Sequence, residues 1–171
     1  MRRFVIALLL LLTAGPIAAE VVDRSPNGFT IKATVAVAAM PDAAFRALVD
    51  VGSWWDKDHT YSGDARSLSI VPQPGGCFCE KLPNGGGVEH GRVVSVVPGS
   101  LLRLQSALGP LQELGVSGSM TWQITKAASG STITMTYVVG GYAPALEQLA
   151  PLVDQVLMRQ VSLLKAHLDK P

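Results

Sequence analysis

The sequence predicts an α+β domain in which one curved antiparallel sheet packs on a single long C-terminal helix. Three observations predict it. Apolar and polar residues alternate with period two over residues 29–37; further strand-like segments follow from Leu68 to Val139, separated by glycine- and proline-rich turns; and the spacing changes to three and four after Gly140-Gly141. Strands gathered ahead of one closing helix indicate an α+β layout, not the strict alternation of a parallel α/β sheet.

In the first strand Phe29, Ile31, Ala33, Val35 and Val37 alternate with Thr30, Lys32, Thr34 and Ala36, which gives one buried face. Pro41 then stands where a first helical turn tolerates proline, Asp42 adds a first-turn acid, and Phe45, Leu48 and Val49 recur at helical spacing until Gly52. This short helical segment ends before Trp54 and Trp55. Leu68 and Ile70 alternate with Ser67 and Ser69, residues 72–76 break the run, and residues 77–82 form a second short strand before a turn at 83–87. Segments 88–97 and 101–106 are joined at Pro98-Gly99.

The clearest pattern comes next. Val116, Gly118, Met120, Trp122 and Ile124 alternate with hydroxyl and amide residues, and across a turn at 127–130 so do Ile133, Met135, Tyr137 and Val139, forming a meander with matching faces. Finally Leu146, Leu149, Val153, Leu157, Val161, Leu164 and Leu168 make a helical stripe, with Lys165 and His167 where the helix dipole favours cations. Proline inside a helix removes a backbone bond, so residues 145–150 read as a lead-in turn and Pro151 as an early position of the main helix.

Met1-Arg2-Arg3, an apolar run over 4–12, the Gly15-Pro16 break and Ala18-Ala19 have the layout of a secretory signal peptide. Cleavage after Ala19 is expected, leaving residues 20–171 as a single domain in the periplasm or outside the cell. A membrane anchor is the alternative, but a spanning helix needs about 20 apolar residues and Gly15-Pro16 interrupts this one earlier. No stable membrane insertion is expected after cleavage. Loss of Arg2 and Arg3 takes 14 basic residues to 12 against 13 acidic ones, a balance without the basic stripe that a nucleic-acid partner requires. A chain of this size buries roughly 70% of its unfolded surface, enough for a core that contains a cavity.

Cys77 and Cys79 are one residue apart. Export favours a disulfide, yet residues i and i+2 of a pleated strand lie roughly 6.5 Å apart, at the limit of disulfide reach. Two reduced, half-buried thiols are expected, with a strained bridge as the alternative.

Ala39-Met40-Pro41-Asp42 with Phe45 and Leu48, then Trp54-Trp55, Gly75-Gly76 before Phe78 and Glu80, Gly91-Arg92-Val93, and Pro98 with Leu102 follow one another in an order that resembles the START-like superfamily. That superfamily is also called SRPBCC or birch-pollen-allergen-like, and the resemblance is to its branch related to activators of a heat-shock-protein ATPase. It extends over residues 29–168. The resemblance implies a helix-grip fold, with about seven antiparallel strands wrapped around the C-terminal helix. It also implies a cavity that in relatives accepts lipids, sterols, polyketides or other apolar molecules. Some members carry lipids and others cyclise or dehydrate aromatic polyketides, so no single activity is implied. The glycine run 85–87 lacks the lysine and helix of a phosphate-binding loop.

Candidate ligand-binding residues follow from the inward faces. An indole offers a large apolar face and one donor, so of Trp54 and Trp55 one is read as a gate to the pocket and the other as holding the first helix down. Met120, Trp122, Met135 and Tyr137 either line the cavity with thioether and aromatic groups or fill the core. His90 and Arg92 share a face with Val88, Val94 and Val96; in that register, adopted here, an imidazole and a guanidinium reach the cavity to orient a polar head or, for His90, to move a proton. The opposite register turns Val93 and Val97 inward and His90 outward. Glu80 shares a face with Phe78 and Leu82, which brings a carboxylate beside His90 or else into a surface ion pair.

His59, His90, Cys77, Cys79 and Glu80 could supply metal-ligating atoms, but without a second paired cluster at zinc spacing no metal is expected, and no other cofactor. With no nucleophile elbow and no assignable catalytic set, the sequence points first to an exported module holding a small apolar or amphipathic molecule. A cyclase or dehydratase using Glu80 and His90 is the second reading, and a protein-interaction module the third. The oligomeric state is open.

Overall fold

The computed structural model describes residues 18–170, with side chains from Glu20 onward. The expected signal peptide therefore lies outside the described residues, except for the backbone of Ala18 and Ala19. These two begin β1 (Ala18–Ser25), which pairs antiparallel with β2 (Gly28–Val37). In β2 every second residue is buried, as the alternation requires.

After α1 (Pro41–Val49) the chain crosses a long connection with three single 3-10 turns and enters β3 (Leu68–Ile70), β4 (Cys77–Lys81), β5 (Gly87–Val97) and β6 (Leu101–Ser106). A fourth 3-10 turn at Pro83–Gly85 joins β4 to β5, and a fifth at Gly109–Gln112 leads to β7 (Ser117–Lys126), which is followed by β8 (Ser131–Gly140) and α2 (Leu146–Leu168). One antiparallel sheet runs in the order β1-β2-β8-β7-β6-β5-β4-β3. It has eight strands, not seven, because β1 was not visible in the pattern. Its inner face, including Ile31, Leu102, Leu104 and Ile133, packs with Leu157, Val161 and Leu164 of α2 into one core.

Helix α2 starts earlier than Pro151. Its first residue follows Ala145, whose φ of 59° turns the chain into the helix, and Pro151 lies inside. The ring sits on an exposed position, while Leu146 and Ala150 are fully buried. Burying that first turn outweighs the backbone bond that proline removes. Among the described residues no helix is long and apolar enough to cross a membrane.

Candidate functional site

A cavity of about 520 Å³ lies between the sheet and α2. Leu149, Val153 and Leu157 of α2 form one wall, Phe78 and His90 of β4 and β5 another, and the 3-10 turn after Leu108 a third. The connection after α1 closes the rest with Trp55, His59, Thr60 and Tyr61. Two anchors hold that connection in place. Asp56 accepts from Arg159 Nε at 2.9 Å and donates its amide to Gln160 Oε1 at 2.9 Å, tying it to α2, while Glu80 accepts the amides of Ser62 at 2.5 Å and Tyr61 at 3.2 Å, tying it to β4.

Strand β5 reaches the site through two bulges. Phe78 pairs with Gly91 but Cys79 with Glu89, so His90 is an extra residue; Val93 pairs with Leu104 but Ser95 with Arg103, so Val94 is another. A bulge inserts one residue and reverses the facing of those beyond it. His90 is therefore buried and inward, Gly91 and Val93 are buried with it, and Arg92, Val94 and Val97 are exposed. Neither uniform register describes the strand. His90 faces inward as adopted, whereas Arg92 is corrected to the outer face, where it pairs with Glu89 and donates to the Gly75 carbonyl at 3.2 Å. Glycine is required at 91, since a Cβ there would lie 2.8 Å from the Gln105 carbonyl oxygen.

His90 Nε2 meets Glu80 Oε2 at 2.9 Å, and both residues are buried. Burial alone would push the Glu80 carboxyl up, but the hydrogen bonds from Ser62, Tyr61 and His90 outweigh it and hold the group below its usual range. Glu80 is an ionised acceptor, so the shared hydrogen sits on Nε2. Phe78 and Tyr61 flank the imidazole with ring centroids at 5.0 and 5.9 Å, and Trp55 stands edge-on to Phe78 at 5.7 Å.

The remaining predicted residues lie elsewhere. Trp54 is buried, with Nε1 donating to the Ala47 carbonyl at 2.9 Å, so it fastens the end of α1. Met120, Trp122, Met135 and Tyr137 are buried in the core and do not border the cavity. Tyr137 acts on it at one remove. Its hydroxyl donates to the Ser106 carbonyl and accepts the Leu108 amide, both at 3.2 Å, which fixes the segment entering the cavity wall. Burial pushes that phenol up to about 12. Leu108, Leu111, Leu149 and Val153 were missed as site residues; only the α2 pair carried a signal, the helical stripe.

Cys77 and Cys79 form a disulfide, which corrects the expected free thiols. The register shift falls between Phe78 and Cys79, and β4 is contracted there, with a Cα–Cα distance of 5.4 Å, inside the disulfide range. Among the described residues no group of three or more His, Cys, Asp or Glu is arranged to hold a metal ion.

No protein-family model and no curated protein sequence matches the chain. Solved structures do. Protein MLL2253 from Mesorhizobium loti is 17% identical with a TM-score of 0.60, over 82% of this chain and 96% of that one. The Aha1 dimer from Colwellia psychrerythraea is 19% identical with a TM-score of 0.57, over 82% and 96%. The di-domain ARO/CYC StfQ of the steffimycin biosynthetic pathway is 16% identical with a TM-score of 0.56, over 85% of this chain and 52% of that one. The chain has the helix-grip fold of these structures. Within that fold the inner face of the sheet packs on α2, and the cavity opens where the connection after α1 spans the gap between them.

Proposed function

We propose that the protein is an exported binding module that holds one small apolar or amphipathic molecule between the sheet and α2, with its polar end at His90. The observation that carries this reading is the cavity. Its volume falls in the range of small-molecule sites, and its walls are apolar except for a few grouped polar side chains. Trp55 and Phe78 would pack on the ligand. The leader pattern at the N-terminus and the Cys77–Cys79 bridge support export to an oxidising compartment.

A second reading, an enzyme of cyclase or dehydratase type, is favoured by one observation, the contact of Glu80 with His90 at the cavity wall. In it His90 takes a proton from the bound molecule and Glu80 stabilises the imidazolium. Binding without turnover is preferred because Glu80 is already committed to three donors that hold the structure together.

Production with the leader intact, gentle purification, and comparison of native with denaturing mass spectra test the proposal. A stoichiometric apolar molecule released on denaturation is expected. A protein that is empty, and stays empty when offered an apolar fluorescent probe, contradicts it.

A further inference from the structure

We infer that the cavity selects an uncharged aromatic molecule bearing a hydroxyl group, which donates to Nδ1 of His90, and that it rejects the corresponding carboxylate. The inference rests on the reading of the cavity as a ligand site and specifies what that site takes.

The selection follows from how the imidazole is held. Glu80 is a carboxylate already accepting two backbone amides, so it receives the Nε2 hydrogen and fixes the tautomer. Nδ1 is then a lone-pair acceptor. It has no hydrogen-bond partner among the described residues, and it is not one of their fully buried unpaired atoms. A carboxylate on the far nitrogen polarises the ring and strengthens any hydrogen bond that Nδ1 accepts. An O–H donor completes the chain from Glu80 through the ring to the ligand.

Charge and shape narrow the class. Among the described residues no Lys or Arg lines the cavity, while carboxylates stand near it: Glu80 behind His90, Asp56 beside His59 and Glu113 at an exposed position. An anionic head would enter beside like charge with no Lys or Arg to meet it. Trp55, Phe78, Tyr61 and the His90 ring form a connected aromatic set, with centroid separations of 5.0 to 5.9 Å along the chain of contacts. Such a set stacks against a flat ring and places its substituent at the imidazole edge.

Displacement of an apolar dye from the full folded protein by naphthalene, naphthol and naphthoate at neutral pH tests this. Naphthol is expected to bind about tenfold more tightly than naphthalene, the worth of one net hydrogen bond to a strong acceptor, and naphthoate more weakly than either. His90→Phe should abolish the naphthol advantage, read as the ratio of naphthol to naphthalene affinity in the same variant. Nitrogen-15 NMR of wild-type His90 needs no variant: naphthol should shift Nδ1 and naphthalene should not. Naphthol binding no better than naphthalene, naphthoate binding best, or an unmoved Nδ1 resonance overturns the inference and leaves the cavity standing as a ligand site. Failure of all three probes to bind overturns that broader reading and this one with it.

Discussion

His90 and Glu80 meet because β5 carries one residue more than β4 at their crossing: Nε2 of His90 lies 2.9 Å from Oε2 of Glu80 at the bulge between the Cys79–Glu89 and Phe78–Gly91 pairs. Without the extra residue a strict period of two would carry Arg92, not Val93, to the inner face. The bulge thus places one imidazole at the cavity and keeps the guanidinium outside.

Glu80 should behave as a structural anion. Glu80→Ala leaves His90 and the amides of Tyr61 and Ser62 without their acceptor, and is expected to cost about 3 kcal/mol in urea unfolding. Hydrogen exchange at Tyr61 and Ser62 should accelerate. Because the folded carboxyl is held below its unfolded value, its contribution is present above the unfolded value and is lost as pH falls through the folded one. Glu80→Gln should flatten that acid limb.

Tyr137 should matter to binding without touching the ligand. Tyr137→Phe removes the bonds to Ser106 and Leu108 and is expected to cost about 1–2 kcal/mol. Since Leu108 borders the cavity, probe affinity should fall as well, chiefly through faster release in stopped-flow measurements. Unchanged stability would mean that water replaces both bonds.

Asp154 carries the opposite sign. It is half-buried on α2, its Oδ1 is buried without a partner, and burial pushes its carboxyl up. Its contribution is greatest below the unfolded value and is lost as pH rises through the folded one. Asp154→Leu should therefore stabilise by about 1 kcal/mol at neutral pH, with a gain that shrinks on acidification. A destabilised variant at neutral pH would contradict this.

The Cys77–Cys79 bridge should be present in the purified, unreduced protein. Thiol titration of the denatured, unreduced chain is expected to find no free thiol. Closing so short a loop restricts the unfolded chain little, so reduction should cost only roughly 1–2 kcal/mol. Two titratable thiols would instead restore the reading from pleated-strand spacing.

The meander of β7 and β8 was legible because Met120, Trp122, Met135 and Tyr137 alternate cleanly with polar residues, and all four are inward. Alternation marks the buried face but not whether that face borders core or cavity, and these four border core. Strand β5 was half legible. Two bulges reverse its facing twice, so His90 and Val93 both point inward although no single period-two register allows it. The bridge was missed for a related reason, since the local contraction of β4 is a property of pairing. Strand β1 was hidden by its mixed residues beside the leader pattern, and the early start of α2 by Pro151, whose local cost is overridden by burial of Leu146 and Ala150. The wall after Leu108 has no periodic signal at all; its place depends on Tyr137, far away in sequence.

The central claim is that a ligand occupies the space beneath α2, and filling that space tests it most directly. Val153 borders the cavity, so Val153→Trp should place an indole in it. The account predicts that an apolar fluorescent probe loses at least about tenfold in affinity while circular dichroism and urea stability stay near wild type. A variant that folds normally and binds the probe as tightly as wild type would contradict it.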